Sequence, residues 1–251
     1  MKQKQVQLAD GRSGKGLAAC RLGRFTALLT AILGAVTFGL AMTAVPNSGA
    51  FCPGECFTWP YLDTLSQYPG DYLWMPVAIL FLLAAFTFFN VLHDRAEPER
   101  KGFSRVGLGF ALMAVLILAV DYFVQFTVVP ASLMNGQTEG ISLFTQYNPH
   151  GVFIALEELG YLLLAVSFAF LAPAVPGKSR IAKTMRWIFG FAAGLSFASL
   201  AFTLAVYGAD RLDRFEVAVI TITWPALITN AILATRLWRN GRAGKIDADS
   251  E

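Results

Sequence analysis

Charged side chains are scarce in this sequence. Asp, Glu, Lys and Arg make up 15% of its 251 residues, whereas a typical soluble domain carries about a quarter. Hydrophobic residues reach 55%, and the mean hydropathy is +0.54. Such a balance excludes an ordinary soluble domain if the apolar residues are gathered into blocks of about 20, the length that a helix needs to cross a bilayer.

Motifs for several common chemistries are also missing. There are only two histidines and three cysteines, and we find neither a phosphate-binding glycine loop nor a nucleophile–base motif. The sequence therefore gives no reason to expect a bound cofactor. A metal site is left unassigned, because the adjacent glutamates Glu157 and Glu158 diverge by about 100° on a helix and cannot easily chelate one ion together.

The apolar residues are indeed gathered into six blocks. They predict an all-α fold, a polytopic transmembrane bundle of six spans that occupies residues 25–238. A basic tail, 1–24, precedes the bundle, and a polar tail, 239–251, follows it. The predicted spans cover residues 25–45, 72–92, 106–129, 151–172, 187–207 and 217–237.

Basic residues are distributed unevenly around these spans. Eighteen of the 20 Lys and Arg residues lie on one side of these spans: in the two tails, in the second and fourth connections and, as Arg236, in the last turn of the sixth span. Because cytoplasmic loops are enriched in Lys and Arg, both termini are predicted to be cytoplasmic. We expect a multi-pass protein of the cell membrane, the inner membrane in a bacterium, with lipids rather than nucleic acid as partners. The first apolar run is too long for a signal-peptide core, so we expect it to be retained.

Two cysteines, Cys52 and Cys56, fall in the first connection, on the predicted outer side. That compartment permits disulfides, and Pro53 and Gly54 favour a turn between the two thiols. We therefore predict a structural Cys52–Cys56 disulfide, because the spacing differs from the C-x-x-C of redox enzymes.

The fourth block contains two acids, Glu157 and Glu158, inside an apolar run. If the helix begins at Asn148 and Pro149, rotation by about 100° per residue places His150, Glu157 and Tyr161 within about 20° of one direction. Glu158 then lies on the flank of the same helix. An acid at the centre of a span costs about 2.5–3.5 kcal/mol, so we expect this face to point into the bundle.

Polar residues of two further blocks are predicted at the same depth. Asp121 lies about nine residues from the outer end of the third span, and Glu157 is equally far from the start of the fourth. Pro225 breaks the hydrogen-bond ladder of the sixth span near Thr221 and Trp224. The candidate ligand or proton site comprises Asp121, Gln125, His150, Glu157, Glu158 and Tyr161, with Gln146, Asn148, Thr221 and Trp224 at its margin.

Four segments resemble an uncharacterised family of prokaryotic six-helix integral membrane proteins. They are "YPGDYLWMP" from Tyr68, "DYFVQFTVVPASL" from Asp121, "GQTEGISLFTQYNPHG" from Gly136 and "ALEELGYLL" from Ala155. The resemblance covers residues 51–173 and implies an integral membrane protein. It implies no activity, and no site residue follows from it.

Three functions are compatible with buried acids in the outer half of the membrane. The favoured one is a pocket for a small or lipid-soluble ligand, and a shared proton between crowded acids leaves acid–base catalysis open. The second is a transporter or channel coupled to protons or cations. The third is a purely structural role. We predict that at least one of Asp121, Glu157 and Glu158 is protonated at neutral pH; the sequence leaves the oligomeric state open.

Overall fold

The computed structural model describes the backbone of residues 2–43 and 46–248 and the side chains of residues 20–43 and 46–239. Within these residues the chain is helical and contains no strand, so the prediction of an all-α fold is confirmed. The helices are α1 (Lys2–Thr43), α2 (Trp74–Arg95), α3 (Lys101–Met134), α4 (Ile141–Phe144), α5 (Val152–Leu171), α6 (Arg180–Tyr207) and α7 (Arg214–Ala248).

Six segments of the described chain are long and apolar enough to cross a membrane, which confirms the predicted number of spans. Their mean hydropathy lies between 1.8 and 2.3. They cover Cys20–Thr43, Gly70–Arg95, Pro98–Met134, Val152–Ala174, Arg180–Tyr207 and Arg214–Arg239. The helices α1 and α7 extend into the predicted tails 1–24 and 239–251, most of whose side chains lie outside the described residues.

Each long helix packs against the one that follows it, and α7 returns to α1. The long helices therefore close into a ring, across which α5 and α7 also touch. Aromatic rings fill the centre at this meeting point. Trp224 of α7 packs against Phe38, Trp74, Phe81 and Tyr161 at centroid distances of 5.9–6.2 Å.

The most extensive packing joins α3 to α5. Two glycines let these helices approach closely. A Cβ built on Gly160 would lie 2.5 Å from Leu118 Cγ, and one on Gly107 would lie 2.9 Å from Leu171 Cγ. A leucine of each helix thus occupies the space that a glycine of the other leaves, as expected where helices pack without a hydrophobic driving force.

The first, third and fifth connections of the ring meet at one end of the bundle, which we call the disulfide end. It comprises residues 46–73, 135–151 and 208–213 among those described. Hydrogen bonds join its parts: Ser142 Oγ donates to the Pro60 carbonyl at 2.7 Å, and Ala50 N donates to Asp213 Oδ1 at 2.8 Å. Cys52 and Cys56 form a disulfide in the first of these connections, with their Cα atoms 6.0 Å apart.

The glycines provide a test of this packing. Gly160→Ala should lower the melting temperature of the detergent-solubilised protein, because overpacking a tight contact typically costs about 1–3 kcal/mol. Gly190→Ala is the matched control, because a Cβ there meets no atom within 4 Å. Thermal unfolding followed by size-exclusion chromatography measures both, and equal melting temperatures for the two variants would contradict the α3–α5 arrangement.

Candidate functional site

A chain of hydrogen bonds crosses the interior from α7 to α5 and α3. Trp224 Nε1 donates to Tyr161 Oη at 2.8 Å, the Tyr161 and Tyr122 hydroxyls are 2.6 Å apart, and Tyr122 Oη donates to Glu157 Oε1 at 2.6 Å. All four side chains are at most 1% exposed. Tyr122 has one hydroxyl proton and donates it to Glu157, so Tyr161 donates to Tyr122, and every proton in the chain points toward Glu157. The polarity of the whole chain therefore favours an acceptor at Glu157 Oε1.

The second oxygen of Glu157 has a different environment. Oε2 has no hydrogen-bond partner among the described residues, and the carboxyl group of Glu216, at the start of α7, lies close to that of Glu157. Two carboxyl groups can bond to each other only if they share a proton. The charges of Asp121 and Glu158 also act on Glu157 from nearby. Glu157 therefore links the hydrogen-bonded chain to Glu216.

Glu158 lies in a separate part of the site. Its Oε1 accepts from Arg211 Nε at 3.1 Å, and its Oε2 is in contact with the terminal nitrogen of the same guanidinium. The Glu158 side chain is 8% exposed and that of Arg211 26%. Arg211 thus reaches in from the fifth connection and neutralises one acid of the fourth span.

His150 does not join Glu157 and Tyr161, so the predicted placement of this residue is wrong. The helix begins at Val152 with Gly151 as its N-cap, whereas Asn148 Oδ1 accepts from His150 N at 3.0 Å in the turn before it. Helical angles consequently do not extend to His150. Its ring lies 2.8 Å from Asp210 Oδ1, with the side chains 54% and 82% exposed.

The two predicted residues of α3 are buried beside this network. Asp121 is 5% exposed and Gln125 is 1% exposed. Neither the amide atoms of Gln125 nor Oδ2 of Asp121 has a hydrogen-bond partner within the described chain. Tyr122 follows Asp121 directly and reaches Glu157, so this turn of α3 is level with the acidic turn of α5.

A cavity of about 380 Å³ opens at the disulfide end, beside the hydrogen-bonded chain. Its longest wall is one stripe of α7 that runs from Glu216 to Trp224, about 12 Å along the helix axis. The other walls come from the end of α1, the starts of α2 and α5, and the connections. The acids of the lining are Asp71, Asp213 and Glu216, and its aromatic residues are Phe51, Trp74, Tyr147, Phe153 and Trp224.

The cavity differs from the predicted pocket in its residues. Of the predicted set, the lining includes the marginal residues Gln146, Thr221 and Trp224. Asn148 is buried nearby, where its Nδ2 donates to the Ser142 carbonyl at 2.8 Å. The six central predicted residues, Asp121, Gln125, His150, Glu157, Glu158 and Tyr161, are absent from the lining. Glu216 is half-buried and connects the two regions, because it lines the cavity and contacts Glu157.

Local structure holds the other two acids of the cavity in place. Asp213 precedes α7 and accepts from Ala50 N, and this contact brings Gly49 so close, at a φ of +73°, that a Cβ would collide with the carboxylate. Asp71 accepts from Tyr147 Oη at 3.0 Å and from Asn47 Nδ2 at 3.3 Å. Burial, Tyr72 and Asp71 raise the pKa of Tyr147 well above its usual value, so its phenol keeps the proton that it donates.

Several residues of this site were not among the predicted ones. Glu216 and Asp213 stand at the start of the sixth block, and Asp71 and Tyr147 belong to connections, where polar residues are ordinary. Helical spacing offers one clue, since Glu216 and the buried Thr223 are seven residues apart and share a face. The contacts with Ala50 and Asn47 depend on the folded connections, and a helical pattern carries no information about them.

Comparison of the chain with protein-family models, with curated proteins and with solved structures gave no match.

The hydrogen-bonded chain makes a prediction about stability. Tyr122→Phe removes the donor of a fully buried carboxyl oxygen. We expect a loss between the roughly 0.6 kcal/mol typical of hydrogen bonds in membranes and the about 1–3 kcal/mol of an unpaired buried group. Tyr68→Phe is the control, since Tyr68 is 42% exposed. Melting temperatures in detergent should fall for Tyr122→Phe alone, and a fall of the same size in both variants would count against the chain.

Proposed function

We propose that this protein is a multi-pass receptor or carrier that binds a small organic molecule in the cavity at the disulfide end. In this proposal the disulfide end faces the outside of a bacterial inner membrane, and both termini are cytoplasmic. The distribution of Lys and Arg supports this orientation.

The cavity is the observation that carries the proposal. Its volume of about 380 Å³ lies within the range of small-molecule sites, about 300–1,000 Å³. Such sites are mostly apolar and aromatic, with a few polar groups that converge on the ligand. Five aromatic residues and three acids in one lining fit this description.

The Glu157–Glu216 contact supports a binding site over a purely structural role. A structural carboxyl pair is best hidden from solvent, whereas Glu216 is half-buried and lines the cavity. A bound molecule would therefore meet a carboxyl group whose partner is fully buried. The same pair contains an acid and a base, so proton transfer to or from a ligand is chemically accessible.

The hydrogen-bonded chain argues against the alternative of a proton pathway along these residues. A relay needs groups that both accept and donate a proton. The chain ends on Trp224, whose indole N–H donates and has no acceptor lone pair. A proton at Glu157 therefore cannot pass beyond Tyr161 by this route.

The proposed orientation is tested with single cysteines in a variant that lacks Cys20, Cys52 and Cys56. Glu139→Cys and Lys178→Cys place exposed thiols at opposite ends of the bundle. A membrane-impermeant maleimide added to intact cells, with the outer membrane permeabilised where there is one, should label Glu139→Cys but not Lys178→Cys. The reverse labelling would overturn the orientation.

The proposed binding is tested by filling the cavity. Ala41 lies in the lining, so Ala41→Phe should occupy part of the space. Ala201→Phe makes the same change on an exposed face of α6. In a thermal-shift screen of chemically diverse small molecules, we expect at least one class to raise the melting temperature of the wild type and Ala201→Phe but not of Ala41→Phe. Stabilisation of all three proteins, or of none, would contradict binding in the cavity.

A further inference from the structure

We infer that the cavity binds a small organic cation, an ammonium group attached to an apolar body. This inference rests on the proposed function and adds to it the chemical class of the ligand. It is drawn from the charge of the lining, from the surroundings of Glu157 and from the aromatic walls.

The lining is acidic without a compensating base. Asp71, Asp213 and Glu216 belong to it, and neither Lys nor Arg is found among its described residues. The hydrogen bonds to these acids come from neutral groups: Tyr147 and Asn47 donate to Asp71, and Ala50 N donates to Asp213. Neutral donors orient a carboxylate but leave its charge in place, so the cavity keeps a negative potential.

The two arginines closest in sequence are engaged elsewhere. Arg211 pairs with Glu158. The guanidinium of Arg214 lies 4.3 Å from the centre of the Tyr207 ring, and its Nη1 donates to the Arg211 carbonyl at 3.3 Å. Arg211 is thus held against α5 and Arg214 against the end of α6, and both are absent from the lining. A cationic ligand would therefore provide the charge that the chain itself does not bring to the cavity.

A second observation is independent of the lining acids. Glu157 is 0% exposed, and its Oε2 has no hydrogen-bond partner in the described chain; the carboxyl group of Glu216, which lines the cavity, lies close to that of Glu157. The other titratable groups that act on this pair are Asp121, Tyr122, Glu158, Tyr161 and Asp213. Only Glu158 has a basic partner, so a positive charge beside Glu216 would stabilise the carboxylates behind it.

The walls of the cavity suit an ammonium group rather than a metal ion. Two aromatic residues of the lining keep accessible surface, since Phe51 is 49% exposed and Trp74 is half-buried, and aromatic faces attract organic cations through their quadrupoles. Among the residues that the structure describes, no three His, Cys, Asp or Glu side chains are arranged to hold a metal ion. Acids that are spread around an aromatic cavity recognise a bulky, weakly hydrated cation better than a compact one.

The test uses purified wild-type protein in an uncharged maltoside detergent and isothermal titration calorimetry. The probes are benzyltrimethylammonium, the neutral benzyl methyl sulfone and the anionic benzylsulfonate, which share a benzyl group and differ in charge. We expect benzyltrimethylammonium to bind at least about tenfold more tightly than either analogue, which corresponds to about 1.4 kcal/mol. Ala41→Phe should abolish this binding, and Ala201→Phe should leave it unchanged.

Charge-neutralising variants locate the binding. Glu216→Gln should weaken binding of benzyltrimethylammonium about tenfold or more. Asp63→Asn, an exposed acid outside the lining, should not change it. If Glu216→Gln is not monodisperse in size-exclusion chromatography, Asp71→Asn takes its place, with the same expected direction. Unchanged affinity in the folded variant would overturn the inference.

The outcomes separate this inference from the proposed function. If an analogue binds as tightly as the cation, and Ala41→Phe prevents this, the cavity binds ligands but does not select cations. If benzyltrimethylammonium does not bind at all, the inference fails, while the thermal-shift comparison of Ala41→Phe with Ala201→Phe still decides the proposed function.

Competition by phosphatidylcholine but not phosphatidylglycerol would assign the ammonium recognition to a lipid headgroup. Equal competition by both lipids would contradict recognition of ammonium.

Discussion

The structure depends on how a carboxyl group is accommodated inside an apolar bundle. Glu157 is fully buried, and a charged or polar group in such a place is costly unless it is hydrogen-bonded. Tyr122 supplies the bond to Oε1, Tyr161 bonds to Tyr122, and Trp224 bonds to Tyr161. These four side chains come from α3, α5 and α7, so the hydrogen bonds that satisfy one buried acid also join three helices.

The same constraint determines where chemistry can occur. Tyr122 donates to Glu157 Oε1, whereas Oε2 has no hydrogen-bond partner among the described residues. The neighbouring carboxyl group of Glu216 opens onto the cavity. Acids that are neutralised within the protein, such as Glu158 with Arg211, lie outside the lining. The cavity therefore combines acids that lack basic partners with aromatic rings. This combination underlies both the proposed binding function and the proposed class of ligand.

Much of the fold could be predicted because hydropathy reports directly on the length of a membrane helix. The block predicted at residues 151–172 corresponds to α5 at Val152–Leu171. Helical geometry also placed Glu157 and Tyr161 on one inward face, since both lie well inside the helix.

The same helical geometry was wrong for His150, because Asn148 caps a turn and the helix begins only at Val152. Glu216 at the start of α7 neighbours Glu157, and Arg211 of the preceding connection pairs with Glu158; both contacts depend on which helices become neighbours. A single sequence contains no periodic pattern that predicts which helices become neighbours.

A double-mutant cycle on Glu157 and Glu216 tests the central claim most directly. The free energy of unfolding is measured for the wild type, Glu157→Gln, Glu216→Gln and the double variant, by titration with a denaturing detergent. If the two carboxyl groups contact each other as described, the loss in the double variant should differ from the sum of the single losses by about 0.5–3 kcal/mol. Losses that add to within about 0.5 kcal/mol would contradict the contact, and with it the link between the buried hydrogen-bonded chain and the cavity.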